Sequence, residues 1–196
     1  MGIDIVDMRV GPHVTSEQRD LLLAPIQEGE ILLALKSIGD LKALGLDGYG
    51  AYFFKATWSI TKKDVIAAVM EFFYENNIYS AINSALVTLI PKHSAAKTIK
   101  EYRPISCCTT IFKIISKILT MRLCKVMNNI VNTSQAAFVP GQHIHDHILL
   151  AYELIRGYIR KGGTPKYMMQ LDLQKTYDTM DWLALQHILC GCGSLK

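Results

Sequence analysis

A helix-dominated α+β fold is what this sequence predicts, and three observations carry the expectation. Apolar residues recur at helical spacing in five separate stretches. Two short runs, 86–90 and 167–173, are instead rich in strand formers and bounded by proline or glycine. Glycine and proline clusters punctuate these segments, with no internal repeat and no low-complexity tract.

The elements follow in order. Pro25 marks a turn, and Ile31, Leu32, Leu35 and Ile38 then form an apolar helical face that Gly39 can stop. "LKALGLDGYGAYFF" holds three glycines and Asp47-Gly48, a turn signal followed by aromatics. Residues 61–77 read as an amphipathic helix with Val65, Val69, Phe72 and Phe73 on one side. "SALVTLIPK" is a β-rich run closed by Pro91, and "YRPIS" is extended because the residue before a proline is pushed out of helical geometry. "TTIFKIISKILTMRLCKVMNNIV" is the strongest helix, with Phe112, Ile115, Leu119, Leu123 and Val126 as its expected apolar stripe. Lys113 and Lys117 lie one turn apart on it. A helix over 145–161 follows "FVPG", then a strand in "KYMMQLDL", then a helix in "DWLALQHIL" with Asp181 as N-cap. A sheet carried by 86–90 and 167–173 alone would be thin.

Half of the 196 residues are hydrophobic and 19% are charged, which permits a substantial core and argues against disorder. No apolar run reaches the roughly 18–20 residues a membrane span needs. "MGIDIVDMRVG" lacks a secretory pattern, and Val6 stands where a myristoylation signal wants Ser or Thr. The five cysteines show no CxxC spacing, so reduced thiols in an intracellular protein are expected. The net charge of +4 hides a gradient. Residues 1–48 carry 4 basic and 8 acidic side chains, residues 49–132 carry 11 and 4, and the remainder 6 and 5. Within 92–125, Lys92, Lys97, Lys100, Arg103, Lys113, Lys117, Arg122 and Lys125 face the single acid Glu101. Such a region suits a polyanion partner or a solvated helix face, and composition does not choose between them.

Asp172 is the carboxylate of most interest. It sits between Leu171 and Leu173 at the end of the second strand-like run, a setting that would fix a ligand for a hard cation. Asp178 is six residues on, roughly 20 Å along a continued strand, so the two cannot share a metal unless the chain turns sharply. An ordinary strand end at Asp172, with turn and cap roles for Asp178 and Asp181, fits the residue types better than a metal site does. His143, His145 and His147 in "GQHIHDHIL" bring two imidazoles one helical turn apart, but no third ligand or neighbouring glutamate completes a zinc site. No P-loop or nucleophile elbow occurs.

Five separated pieces fit one pattern in order: "KALGLDGYGAYFFK" (42–55), "LVTLIPK" (86–92), "YRPISCCTTIFKIISKILTMRL" (102–123), "QAAFVPGQHIHDHILLAYELI" (135–155) and "MQLDLQKTYDTMDW" (169–182). Together they resemble the reverse transcriptase of plant LINE-type, non-LTR retrotransposons. The resemblance implies a partial right-hand polymerase fold: a helical lead-in over 1–40, fingers over about 41–165 and the start of the palm over about 166–196. It implies Asp172 as a catalytic, metal-binding aspartate, with the Leu173 carbonyl beside the same magnesium ion. Tyr177 matches the gate that excludes a ribose 2′-OH, and Lys92 and Arg103 match residues gripping the incoming dNTP. Lys113 and Lys117 are expected along the nucleic-acid track, with an RNA template and a DNA primer as partners.

The chain also departs from that family. Leu44 and Leu46 replace the prolines of the usual KSPGPDG, Gln142 replaces an arginine, and Thr176 replaces an alanine beside the gate. No adjacent aspartate pair occurs anywhere in the 196 residues, so the family's Tyr/Phe-x-Asp-Asp motif is missing. A two-metal site is then incomplete, and these residues alone are expected to be inactive. A non-catalytic nucleic-acid-binding remnant, or a degenerate product without function, are the alternatives.

Overall fold

A computed structural model describes residues 13–132, 135, 139, 141, 143–158 and 179–191. Two compact units divide the chain: one is Pro25–Met121, and the other joins Met1–Ala24 to Arg122–Lys196. Among the described residues helices predominate, with one two-stranded sheet, consistent with an α+β fold.

In the unit Pro25–Met121, helix α2 (Glu28–Ser37) begins at a capping box, Gln27 N–H donating to Glu30 Oε2 at 3.1 Å. It follows α1 (Ser16–Leu23), which belongs to the other unit. Helix α3 (Ala51–Ala56) runs through Thr57 into α4 (Trp58–Glu75), which ends at Asn76 in the left-handed conformation (φ 52°). The expected 61–77 helix therefore starts three residues earlier. Its Val65 and Val69 are buried, and Phe72 and Phe73 pack on the same core. Ile31, Ala34 and Leu35 of α2 meet Val65 and Val69 of α4 and Ile114, Ile115 and Ile118 of α5 (Thr110–Ile130). Each fully buried Ile or Leu here contributes about 1.5–3 kcal/mol relative to exposure.

The stripe of α5 is turned from the one periodicity suggested. Ile114 and Ile118 are buried beside Ile115, whereas Leu119 and Leu123 are 42% and 40% exposed. Almost every position from Ile111 to Leu123 that is not basic or hydroxylated is apolar, so the sequence offers two adjacent stripes. The α2–α4 surface selects the one containing Ile111, Ile114, Ile115 and Ile118. The short α1 and α3 were also not anticipated. The first had a signal, since Thr15 and Gln18 form a capping box in which Gln18 N–H donates to Thr15 Oγ1.

Strand β1 (Ala85–Pro91) pairs antiparallel with β2 (Tyr102–Cys108), from Ala85↔Cys108 to Pro91↔Tyr102. The partner of 86–90 is thus the "YRPIS" stretch, where only extended chain was expected, and 167–173 lies outside the described residues. Lys92 N–H donates to Glu101 O at 2.8 Å, which makes 92/101 a hydrogen-bonded pair one step past the strands. Alternation then makes Leu89↔Pro104 a non-bonded pair, so proline's missing N–H falls on the open edge, where it costs no ladder bond.

In the other unit, Arg122 is buried and its guanidinium donates to the carbonyls of Leu22 and Ala24 at the end of α1. Helices α6 (Ile144–Tyr158) and α7 (Trp182–Gly191) follow, and Asp181 Oδ1 accepts from Leu183 N–H and Ala184 N–H as the expected N-cap. Cys107, Cys108, Cys124 and Cys190 are free thiols. No described helix is long and apolar enough to cross a membrane.

One contact ties the glycine-rich loop to the rest of its unit. A Cβ on Gly45 would lie 2.6 Å from Thr109 Cα and 2.7 Å from Thr109 N, so only glycine lets the two backbones approach. Gly45→Ala is expected to lower stability by about 1–3 kcal/mol in urea unfolding, as overpacking against an unyielding backbone does. Gly29→Ala, with open space around the new methyl, should leave the midpoint unchanged or raise it.

Candidate nucleotide and nucleic-acid site

Hairpin pairing sets the positions of two of the expected phosphate-binding cations. Arg103 lies opposite Ile90, and directly opposed residues project from the same face of a sheet. Lys92 is two residues beyond Ile90 and the ladder continues through it, so the pleat returns it to that face. Lys92 and Arg103 are therefore diagonal neighbours at one end of the hairpin, and both are exposed. The Lys92 ammonium donates to the Lys100 carbonyl at 2.7 Å, which steadies it and leaves two of its protons for a ligand. A guanidinium fork beside a lysine point charge is a donor set suited to phosphate oxygens.

The loop between the strands is organised by a carboxylate. Thr98 caps a 3₁₀ turn (Ile99–Glu101), and Glu101 Oε2 accepts from the N–H groups of Lys97 and Thr98. Those backbone bonds, Lys97's first, hold the Glu101 carboxyl below the usual glutamate range. The acid seen in sequence as an isolated exception thus closes the loop from which Lys92 and Arg103 emerge.

The α5 cations divide by role. Lys113 donates to the carbonyl of Ala43 and so clamps the glycine-rich loop; Thr110 Oγ1 assists by donating to the Tyr49 carbonyl at 2.8 Å. Lys117, one turn on, is half-buried and has no hydrogen-bond partner among the described residues. Arg122 caps α1. Part of the basic window is consequently structural, which charge counting alone could not reveal. The structural roles of Thr110 and Gly45 carried no sequence signal beyond the turn in which Gly45 stands.

Asp172, Leu173 and Tyr177 lie outside the described residues. Among those described, no group of three or more His, Cys, Asp or Glu side chains is arranged to hold a metal ion. His143 and His145 belong to no such group, and the side chain of His147 lies outside the described residues.

Residues 90–189 match the reverse transcriptase (RNA-dependent DNA polymerase) family. The chain is also similar to the transposon TX1 uncharacterized 149 kDa protein of Xenopus laevis, with 29% identity over 170 residues. That alignment covers 87% of this chain and 13% of the Xenopus protein, so the chain spans about an eighth of its relative's length.

The lowered Glu101 carboxyl has a definite pH consequence. A depressed folded-state value means its contribution is complete above the unfolded glutamate range, near about 4.3, and is lost as pH falls through the lower folded value. The amide resonances of Lys97 and Thr98 are expected to hold steady from neutral pH to that range and move below it. In Glu101→Gln the same resonances should show no such step.

Proposed function

The chain belongs to the reverse transcriptase family, and from that premise we propose that it forms the fingers and first part of the palm of an RNA-directed DNA polymerase from a LINE-type, non-LTR retrotransposon. The lead-in is 1–40, the fingers about 41–165 and the palm from about 166. The observation that carries this reading is the placement of Lys92 and Arg103 on one exposed hairpin face. Nucleotidyl transfer moves negative charge onto the departing pyrophosphate, and fixed cations on those oxygens stabilise the transition state. Lys92 and Arg103 supply them, and the dNTP is their ligand.

Asp172 offers a carboxylate and Leu173 a backbone carbonyl, both hard oxygen donors of the kind magnesium accepts alongside substrate phosphates. Those two residues would hold the ion, which when bound would neutralise triphosphate charge. Tyr177 is the residue we assign to the gate that would exclude a ribose 2′-OH. Lys117 borders the path of the RNA template and DNA primer, while Lys113 reaches that path only from its place in the loop clamp.

A two-metal centre needs further carboxylates, and these 196 residues contain no adjacent aspartate pair. By themselves they bind nucleotide and nucleic acid and do not polymerise. A non-catalytic RNA-binding role is the second reading, favoured by the 11 basic against 4 acidic side chains of residues 49–132.

Two measurements decide between them. In primer extension on poly(A) with oligo(dT) and magnesium, the 196-residue protein is expected to add no nucleotide; extension abolished by Asp172→Ala would overturn the inactivity. Photo-crosslinking to labelled dTTP should fall at least about tenfold in Lys92→Ala/Arg103→Ala, given about 1.5–3 kcal/mol for each charge-assisted bond. Wild-type labelling in that double variant would remove the triphosphate role, and RNA binding with no dTTP labelling at all would select the second reading.

A further inference from the structure

The glycine-rich loop carries an aromatic group that the triphosphate site does not use. Tyr49 is 51% exposed, yet its backbone is held at both ends. Its carbonyl accepts from Thr110 Oγ1, and its N–H donates to Asp47 Oδ1 at 3.3 Å. The turn before it is fixed by Gly48 at φ +74° and by Gly48 N–H donating to Gly45 O. Its ring lies 4.6 Å from that of Phe53 at 37°, and Phe53 meets Phe54 edge-on at 5.3 Å. Phe54 in turn packs against the buried core. The outer ring is therefore in water while the inner one is anchored.

A single exposed aromatic needs no explanation, but a ring immobilised through both its backbone and a second ring has lost the freedom that binding would otherwise cost. The loop carries Lys42 and Asp47, and Lys113, which donates to the Ala43 carbonyl, keeps two ammonium protons. Asp40 is paired with Lys55 at 2.6 Å, and the Asp47 carboxylate accepts from Tyr49 N–H. A ring held in place and half open to solvent fits an unpaired base, which brings a π-face of its own.

We infer that Tyr49, backed by Phe53, is a stacking platform for one base of single-stranded RNA. This rests on the proposed polymerase reading and adds a subsite to it. Stacking on a π-face tolerates any base, as a template track demands.

Fluorescence anisotropy with a labelled 12-nucleotide oligo(A), and with the same RNA made abasic, tests it at low salt. Loss of a stacked base costs about 1–3 kcal/mol, which is roughly 5- to 150-fold in affinity. Tyr49→Ala and Tyr49→Leu should both show that loss on oligo(A), while Tyr49→Phe stays within about twofold of wild type. The leucine variant keeps an apolar side chain against Phe53, so it answers the question if the alanine variant does not fold. On abasic RNA, wild type and the leucine variant should bind alike. Equal binding of oligo(A) by wild type and Tyr49→Leu, or an equal loss on abasic RNA, overturns the platform and leaves the polymerase reading standing. No RNA binding by wild type even at low salt removes both.

Discussion

Much of the Pro25–Met121 unit depends on one close approach, that of the Gly45 backbone to the Thr109 backbone. Thr109 is the hinge between β2 and α5, so whatever touches it is fixed relative to both the hairpin and the longest helix. Its hydroxyl donates to the Ile82 carbonyl at 3.0 Å and accepts from Phe112 N–H, satisfying one of the orphan amides at the start of α5. Thr110 and Lys113 add bonds to Tyr49 and Ala43 on either side of Gly45. Three consecutive features of one helix start thereby grip both ends and the middle of the loop. A β-carbon at residue 45 would displace them together.

The hairpin has the opposite character. Its β1 residues are all exposed, and Leu86, Val87, Leu89 and Ile90 face solvent at 48–57%. A two-stranded sheet is marginal alone, and this one is held by its connections: the Glu101 capping box at the tip and Thr109 at the base. Lys92 and Arg103 thus sit at the far end of a hairpin whose first strand is fully exposed, beside a tip tightened by local hydrogen bonds. Loops that bind ligands are commonly drawn from the low-stability end of a fold.

Much of this was legible in the sequence, and what was not has physical causes. Helix α4 is clear because only one of its faces is apolar, with Lys62, Lys63 and Asp64 breaking the alternative. Helix α5 is clear as a helix but ambiguous in rotation, since Ile114 and Leu119 are equally apolar and only tertiary packing buries the first. The pairing of β1 with β2 is a long-range fact that the proline in "YRPIS" disguised. Charge was the least legible property. Arg122 and Lys113 read as free cations, but one caps α1 and the other clamps a loop. The Asp181 cap, by contrast, follows from local chemistry and needs no tertiary knowledge. Asp172 and Tyr177 owe their proposed roles to resemblance, because the residue types alone favour an ordinary strand end.

The two leucines of "KALGLDG" show how the same loop is kept rigid by other means. Proline at 44 and 46 would preset φ and remove chain entropy before folding. Leu44 and Leu46 leave that freedom to the unfolded chain, and both are largely exposed. The native loop is held through contacts: Leu44 Cδ2 would lie 2.8 Å from a Cβ at Gly50, so its side chain closes over the third glycine as Thr109 closes over the first. The loop's rigidity rests on packing around two glycines and on three hydrogen bonds from α5 and Asp47. A loop stiffened that way can remain ordered, but its order depends on the start of α5 being formed. The position of Tyr49, and any chemistry that uses its ring, is then coupled to the helix rather than intrinsic to the loop.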